Sequence, residues 1–384
     1  MMATPVAAPS QDAAYRPGVE TGSIQSLVVD SAWGFTALRP EWNSLLRASG
    51  SASPFLTWEW LHTWWTHLGG GSQLRMLAVR AGEDLIAIAP FRMTSSGVAR
   101  FPSLDMLGTG EAGSDYLDVI VRRGWEAESL AAIERFVRSH DTTLRLTHLG
   151  PSAAAVHLAG LLDAHGWTRS ITAGGTCPYI PLAGHTWDSY LATLGASHRA
   201  NVRRRIRALE QKFDVRFERV TTEAQRREAM PRLVQYHERR FDESGTAFRT
   251  ESLRAFHDEV TKRALDRGWL RMFVLRVNGT PVAVMYGFLY GGTFYFYQHG
   301  FDEQYQQHSI GLVLMGLSIR AAIDEGAGEF DMLWGVEQYK FLWARDTREL
   351  RNIHLFPPNV GGQLHRGFFH TRRRVAAVIR RHVS

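Results

Sequence analysis

The 384-residue chain is long enough for two domains or one compound one, and its 45% apolar content is enough for a full core. A net charge of +6 with a pI near 9.6 favours anionic partners such as nucleotide phosphates, RNA or anionic lipid. The single cysteine, Cys177, excludes an internal disulfide and fits a reducing, cytoplasmic setting, and no apolar run approaches the ~18 residues of a membrane-spanning helix.

Residues 1–22 are rich in Ala, Pro and Ser, lack the continuous apolar run of a signal peptide, and read as disordered. Trp42–Trp65 has apolar residues at helical spacing, interrupted at Pro54. Leu74–Arg80 and Leu85–Met93 read as a hairpin, and Val98–Leu104 and Asp115–Val121 as further strands. A helix over Trp125–Ser139, a strand at Leu144–Leu149 and a helix over Ser152–His165 follow, and Cys177–Leu182 closes this part. Cys177 lies in the apolar run CPYIPL, which fits a buried thiol better than a nucleophile.

A second part begins near Trp187. Ser197–Phe213 is helical with Val202, Ile206, Leu209 and Phe213 on one face. A strand at Val215–Val220 and helices over about 223–242 and 251–267 come next. Trp269–Val277 and Pro281–Leu289 form a hairpin across Asn278-Gly279, and Thr293–His299 is the next strand. The loop Gly300–His308 leads into a helix over Ser309–Glu325, a strand at Glu329–Leu333, a helical stretch around Val336–Ala344 and a last strand at Leu350–Phe356. Each part therefore presents a meander, a helix and a strand. The fold class is α/β (α+β), with a half over 23–184, a half over 185–358 and a basic tail over 359–384.

The helix that starts at Ser309-Ile310-Gly311 offers free N–H groups and a positive dipole end to a pyrophosphate, although the same serine is also an ordinary cap. A hairpin, then Gln306-Gln307-His308-Ser309-Ile310-Gly311, then a helix and a strand resembles the acetyl-CoA site of the GNAT acetyltransferases. Gln307 and Gly311 stand four apart rather than three, and Val313 takes the place of that motif's second small residue.

Three segments carry a narrower resemblance: PVAVMYGFLYGGTFYFYQHGFD (281–302), IGLVLMGLSIRAAIDEGAGEFDMLWGVEQYKFLWA (310–344) and SHRANVRRRIRALE (197–210). They resemble the BioF-like, Fem-related acyltransferases of the GNAT superfamily, which include accessory acetyltransferases of cellulose and exopolysaccharide synthesis. PFLTWEW (54–60) and SDYLDVIV (114–121) resemble that family's N-terminal half. The resemblance implies tandem GNAT-like halves and transfer of an acyl or aminoacyl group to an amine or hydroxyl, from acetyl-CoA, another acyl-CoA or a charged tRNA. It also implies a charge-stabilising lysine near the last strands, for which Lys340 is the match.

Acyl transfer from a thioester needs a base, oxyanion donors and a proton for sulfur. Glu337, Lys340 and Tyr339 are candidates for these roles in turn, the alternative being a surface ion pair beside a packed tyrosine. His299 is a further candidate base, because an imidazole titrates near neutral pH. Tyr286, Tyr295 and Tyr297 alternate along strands and either face a substrate or pack the core. Gln307, His308, Ser309, Ile310 and Gly311 are the candidate cofactor-binding residues.

Arg199, Arg203 and Arg207 lie one turn apart and either clamp a phosphate or RNA or form a solvated face. The arginine-rich run His365–His382 reads as a basic amphipathic helix for an anionic membrane surface or as a simple tail. Asp115 and Asp118 alternate on their predicted strand and are candidates for lining a cleft. Gly108–Gly113 matches GxGxxG, but a strand-like run follows it, so a dinucleotide site is not expected. The absence of HExxH, Walker A, paired zinc-type cysteines and GxSxG leaves metal, nucleotide-hydrolysis and serine-hydrolase chemistry unsupported. Three functions stand: an acyl-CoA-dependent transferase acting on a small-molecule or glycan-precursor acceptor, an aminoacyl-tRNA-dependent transferase, and a catalytically silent accessory module of polysaccharide synthesis.

Overall fold

The computed structural model describes residues 23–51, 53–96, 101–241 and 247–383. The expectations for residues 1–22 and for a strand starting at Val98 fall on or begin at residues outside this set. The N-terminal half runs β1 (Ile24–Val29), α1 (Ala32–Ala37), α2 (Arg39–Ala48), α3 (Trp58–Leu68), β2 (Gln73–Leu74), β3 (Met76–Ala81), β4 (Asp84–Ala89), β5 (Phe91–Ser96), β6 (Phe101–Met106), β7 (Ile120–Val121), α4 (Glu126–His140), β8 (Thr143–Leu149), α5 (Ala154–Ala164) and β9 (Thr168–Pro181). The rest runs α6 (Trp187–Thr193), α7 (Ala196–Lys212), β10 (Val215–Arg219), α8 (Glu223–Phe241), α9 (Glu251–Asp266), β11 (Leu270–Val277), β12 (Thr280–Tyr290), β13 (Thr293–Phe301), α10 (Ile310–Asp324), β14 (Glu329–Asp331), α11 (Lys340–Trp343), β15 (Asp346–Phe356) and α12 (Val360–Val383).

Local chemistry explains most boundaries. Pro54 opens a single 3-10 turn, and the Thr57 hydroxyl then accepts the Trp60 N–H to start α3. The helix expected over Trp42–Trp65 is therefore α2 and α3 with that turn between them. Asn278 and Gly279 both adopt positive φ, +50° and +80°, which matches the twist of the β11–β12 hairpin. Pro90, which lacks an N–H, divides the expected return strand into β4 and β5.

Among the described residues the strands form a four-stranded sheet, β1-β3-β4-β7, and an eleven-stranded one, β10-β11-β12-β13-β14-β9-β15-β8-β6-β5-β2. The large sheet shows the same pattern twice. In each half a parallel pair brackets a helix: β6 with β8 around α4, and β13 with β14 around α10. The final strands are exchanged. β9 of the first half pairs with β14 of the second, β15 of the second pairs with β8 of the first, and β9 and β15 pair with each other from Thr168–Phe356 to Tyr179–Asp346. The element order expected for two halves is present, but the sheet does not divide at residue 184.

Two apolar clusters flank this sheet. One joins the halves, where Trp60 packs edge-on against Phe256 at 5.1 Å and against Tyr297 at 5.3 Å. The other lies under α6, α7 and α10. The tail after residue 359 is the helix α12, whose first turns dock on the N-terminal half. His365 Nδ1 lies 2.8 Å from Thr143 Oγ1, and Phe369 packs on Phe356. No helix among the described residues is long and apolar enough to cross a membrane.

Candidate active site

The parallel strands β13 and β14 pair only from Thr293–Glu329 to Tyr295–Asp331. Beyond that point β13 runs on to Phe301, while the other chain turns at Leu333, whose φ is +56°. The sheet thus opens into a fork, and α10 begins at its open end. Across the fork the rings of His299, on β13, and Tyr339, just before α11, stand 5.9 Å apart.

Charged groups hold the turn that forms one wall. Asp331 accepts the Leu333 N–H at 2.7 Å, and Asp115 accepts the Trp334 N–H at 2.8 Å. Lys340 Nζ donates to the carbonyls of Leu333 at 3.3 Å and Trp334 at 2.9 Å, and pairs with Glu337 at 3.1 Å. Lys340 is 3% exposed, so the alternative of a surface lysine is corrected. An ammonium carries three protons, and here it meets three acceptors.

Behind this turn lies a buried polar layer. The Tyr116 hydroxyl donates to Asp331 at 2.6 Å, and Arg348 pairs with Asp331 at 3.1 Å and with Glu329 at 2.7 Å. Burial pushes the Asp331 carboxyl up to about 7, against the opposing pull of Tyr116, the Leu333 N–H and Arg348. His148 Nδ1 lies 3.0 Å from Asp115. Burial raises the Cys177 thiol well above its ordinary range, and Asp115 and Asp331 add to the shift. Cys177 is therefore a structural thiol, as its sequence context suggests.

Asp115 and Asp118 are buried on a loop, since only Ile120–Val121 of the expected strand over 115–121 is extended. Asp118 accepts the Ser51 hydroxyl and the N–H groups of Val119, Ala154 and Ala155, and so caps α5. Burial pushes it up to about 6. Asp115 holds backbone, and Asp118 both holds backbone and borders the cavity at the junction of the halves.

The helix start also differs from expectation. A 3-10 turn over Glu303–His308 precedes Ser309, which has a φ of +56° and makes no side-chain cap, and α10 begins at Ile310. A Cβ on Gly311 would lie 3.1 Å from the Phe301 ring, so this glycine makes room for Phe301 rather than for a ligand. The Gln307 carbonyl accepts Arg205 at 3.4 Å, and His308 stacks edge-on with Phe213. Desolvation, then Lys212 and Arg205, lower the His308 pKa. Of the arginine row, Arg199 donates to the Ala192 carbonyl, Arg203 pairs with Asp188, and Arg207 is exposed. The cations that α7 brings to the α10 start are Arg205 and Lys212.

Tyr286 is fully buried and its hydroxyl lies 2.6 Å from His257 Nδ1, which corrects the expectation that it faces a substrate. Tyr297 donates to the Ala112 carbonyl, and Tyr295 is buried beside Tyr116. Among the described residues no group of three or more His, Cys, Asp or Glu side chains is arranged to hold a metal ion.

A forked parallel pair with a helix start at its mouth, in an α/β sheet built twice, is the GNAT fold. Residues 196–341 match the family described as an acetyltransferase (GNAT) domain. The whole-chain fold is similar to that of FemX, at 9% identity with a TM-score of 0.60, over 86% of this chain and 96% of that one. It is also similar to L-PGS from Bacillus licheniformis, at 12% identity with a TM-score of 0.53, over 82% of this chain and 90% of that one. A conserved protein of unknown function from Bacteroides thetaiotaomicron is similar over 82% of this chain and 96% of that one, with a TM-score of 0.54 at 12% identity. No curated protein matches the sequence. The chain has the GNAT fold, built from two halves, and as a whole its fold is similar to that of FemX.

Proposed function

We propose that this chain transfers an acyl group from an acyl-CoA to an amine or hydroxyl, with the thioester lying in the β13–β14 fork. The observation that carries this reading is the fork itself: three paired residues, then open strands, with the α10 start and two cations at the mouth. The Leu312 and Val313 N–H groups bond the Ser309 carbonyl, which leaves those of Ile310 and Gly311 at the start of α10, and with Arg205 and Lys212 they suit the donor's phosphates.

The acceptor's nitrogen or oxygen attacks the thioester carbon, and its proton passes to His299. The carbon–sulfur bond then breaks, and the departing thiolate takes a proton from Tyr339. Lys340 orders the wall through the Leu333 and Trp334 carbonyls, and its charge stabilises the oxyanion through that wall rather than by direct donation. The narrower assignment, acetyl transfer in exopolysaccharide synthesis, is supported by the sequence motifs alone.

A second reading, an aminoacyl-tRNA donor, is favoured by the exposed arginines that continue along α7 from the fork mouth. Calorimetric titration with acetyl-CoA and with a mixture of aminoacyl-tRNAs separates the two. Acetyl-CoA binding with thiol release supports the first, and tRNA binding without CoA binding supports the second.

A further inference from the structure

A cavity of about 280 Å³ lies at the junction of the halves, behind the fork rather than in it. Its C-terminal wall is made by Thr293 and Glu329, the first residues of β13 and β14, and by Arg348 near the start of β15. The fork opens only past the third residue of each of the first two strands. The N-terminal wall comes from loops bearing Gly50, Tyr116 and Ser152.

The polar groups on these walls differ in how far they are committed. Asp118, which also borders the cavity, is fully occupied by the α5 backbone and Ser51. Arg348 forks onto Glu329, with NH1 at 3.1 Å and NH2 at 2.7 Å, and its NH1 also reaches the buried Asp331. Its guanidinium lies over the Tyr179 ring, 4.1 Å from the centroid. One guanidinium thus serves two carboxylates, Glu329 remains partly open to solvent, and the cavity lining holds two carboxylates, Glu329 and Asp118, against the one cation Arg348. The Thr293 and Ser152 hydroxyls and the Tyr116 ring complete a wall suited to a hydroxylated ring.

We propose that this cavity binds a small polyhydroxylated amine, with its ammonium on Glu329 and its hydroxyls on Thr293 and Ser152. A neutral sugar of the same shape would lack the charge-assisted bond, and an acidic one would meet Glu329 and Asp118 on the lining. The site is physically separate from the fork and does not rest on the acyl-transfer reading.

The test titrates the full chain with glucosamine, glucose and glucuronate, which share one ring shape and carry three charges. Glucosamine is expected to bind more tightly than glucose by about tenfold, the worth of one charge-assisted hydrogen bond, and glucuronate not to bind. Glu329→Gln should bring glucosamine down to the level of glucose. Gly50→Leu points a side chain into open space at the cavity rim, with no atom within 4 Å of its Cβ, and should block both sugars while leaving acetyl-CoA affinity unchanged. Equal binding of glucosamine and glucose, absence of glucosamine binding, or glucosamine binding that survives Gly50→Leu would each overturn the proposal.

Discussion

Asp115 accepts the backbone N–H of Trp334 at 2.8 Å, across 219 positions of sequence and from one half of the molecule to the other. The bond fixes the turn that walls the fork, and Asp331 and Lys340 hold the same turn from its other sides. Removing the acceptor strands a buried N–H. Asp115→Ala should cost about 1–3 kcal/mol of unfolding free energy, and Asp115→Asn, which keeps an acceptor, should cost less. Urea denaturation of both variants measures this, and parental stability in the alanine variant would show that the bond does not hold the turn.

Lys340→Met leaves two carbonyls and a carboxylate without their donor. Loss of one partner from a buried charged set typically costs about 3–5 kcal/mol, and the partial exposure of Glu337 places this case at or below the lower end. The sequence alone suggests a variant that melts near the parental temperature. With the ammonium buried, early melting is expected, together with weaker acyl-CoA binding. Melting at the parental temperature would mean that water replaces the ammonium at the Leu333 and Trp334 carbonyls.

The Asp331 carboxyl titrates near 7 in the folded chain, against an ordinary 3.8. Between these values the folded state keeps a proton that the unfolded state has lost. The contribution of Asp331 is therefore fully present at acid pH and is lost as pH rises towards and through about 7. Asp118, raised to about 6, acts with the same sign. His257 and His354, lowered to about 3 and about 4 by burial, act with the opposite sign as pH falls below 6.5. The measurement is consequently a difference: the stability of the parent minus that of Asp331→Asn, followed from pH 4 to pH 7.5, should fall with pH. A difference independent of pH would mean that Asp331 is ionised throughout.

Cys177 is fully buried, and its thiol is pushed far from the range in which thiolates form. An aromatic disulfide reagent should label the native chain no faster than the chain opens, and should label it at once in denaturant. Rapid labelling of the native protein would make Cys177 accessible and reopen it as a nucleophile.

The sequence made the repeated element order visible because hairpin turns and helix periods are local. The Asn278-Gly279 turn and the α10 pattern each stand within a few residues of what the structure shows. The exchange of β9 and β15 was not legible, because the residues that pair lie 148 to 211 positions apart. The backbone-holding role of the two aspartates was not legible for the same reason: apart from Val119, the N–H groups they accept lie 36, 37 and 219 positions away. Tyr286 was misplaced because β12 is buried on both faces, so alternation along it says nothing about a substrate side. Arg205 and Lys212 were discoverable. Each stands three residues after a core position of α7, Val202 and Leu209, and so sits at the edge of the packed face rather than on the outer row.

The central claim is that the β13–β14 fork takes an acyl thioester. Calorimetric titration of the full chain with acetyl-CoA, paired with the same titration of His299→Ala, tests it most directly. The account predicts one-to-one binding in both proteins, weakening as salt is added, with thiol release in the presence of an amine acceptor only in the parent. Absence of acetyl-CoA binding by the folded parent, or binding unaffected by replacing both Arg205 and Lys212 with alanine, would contradict it.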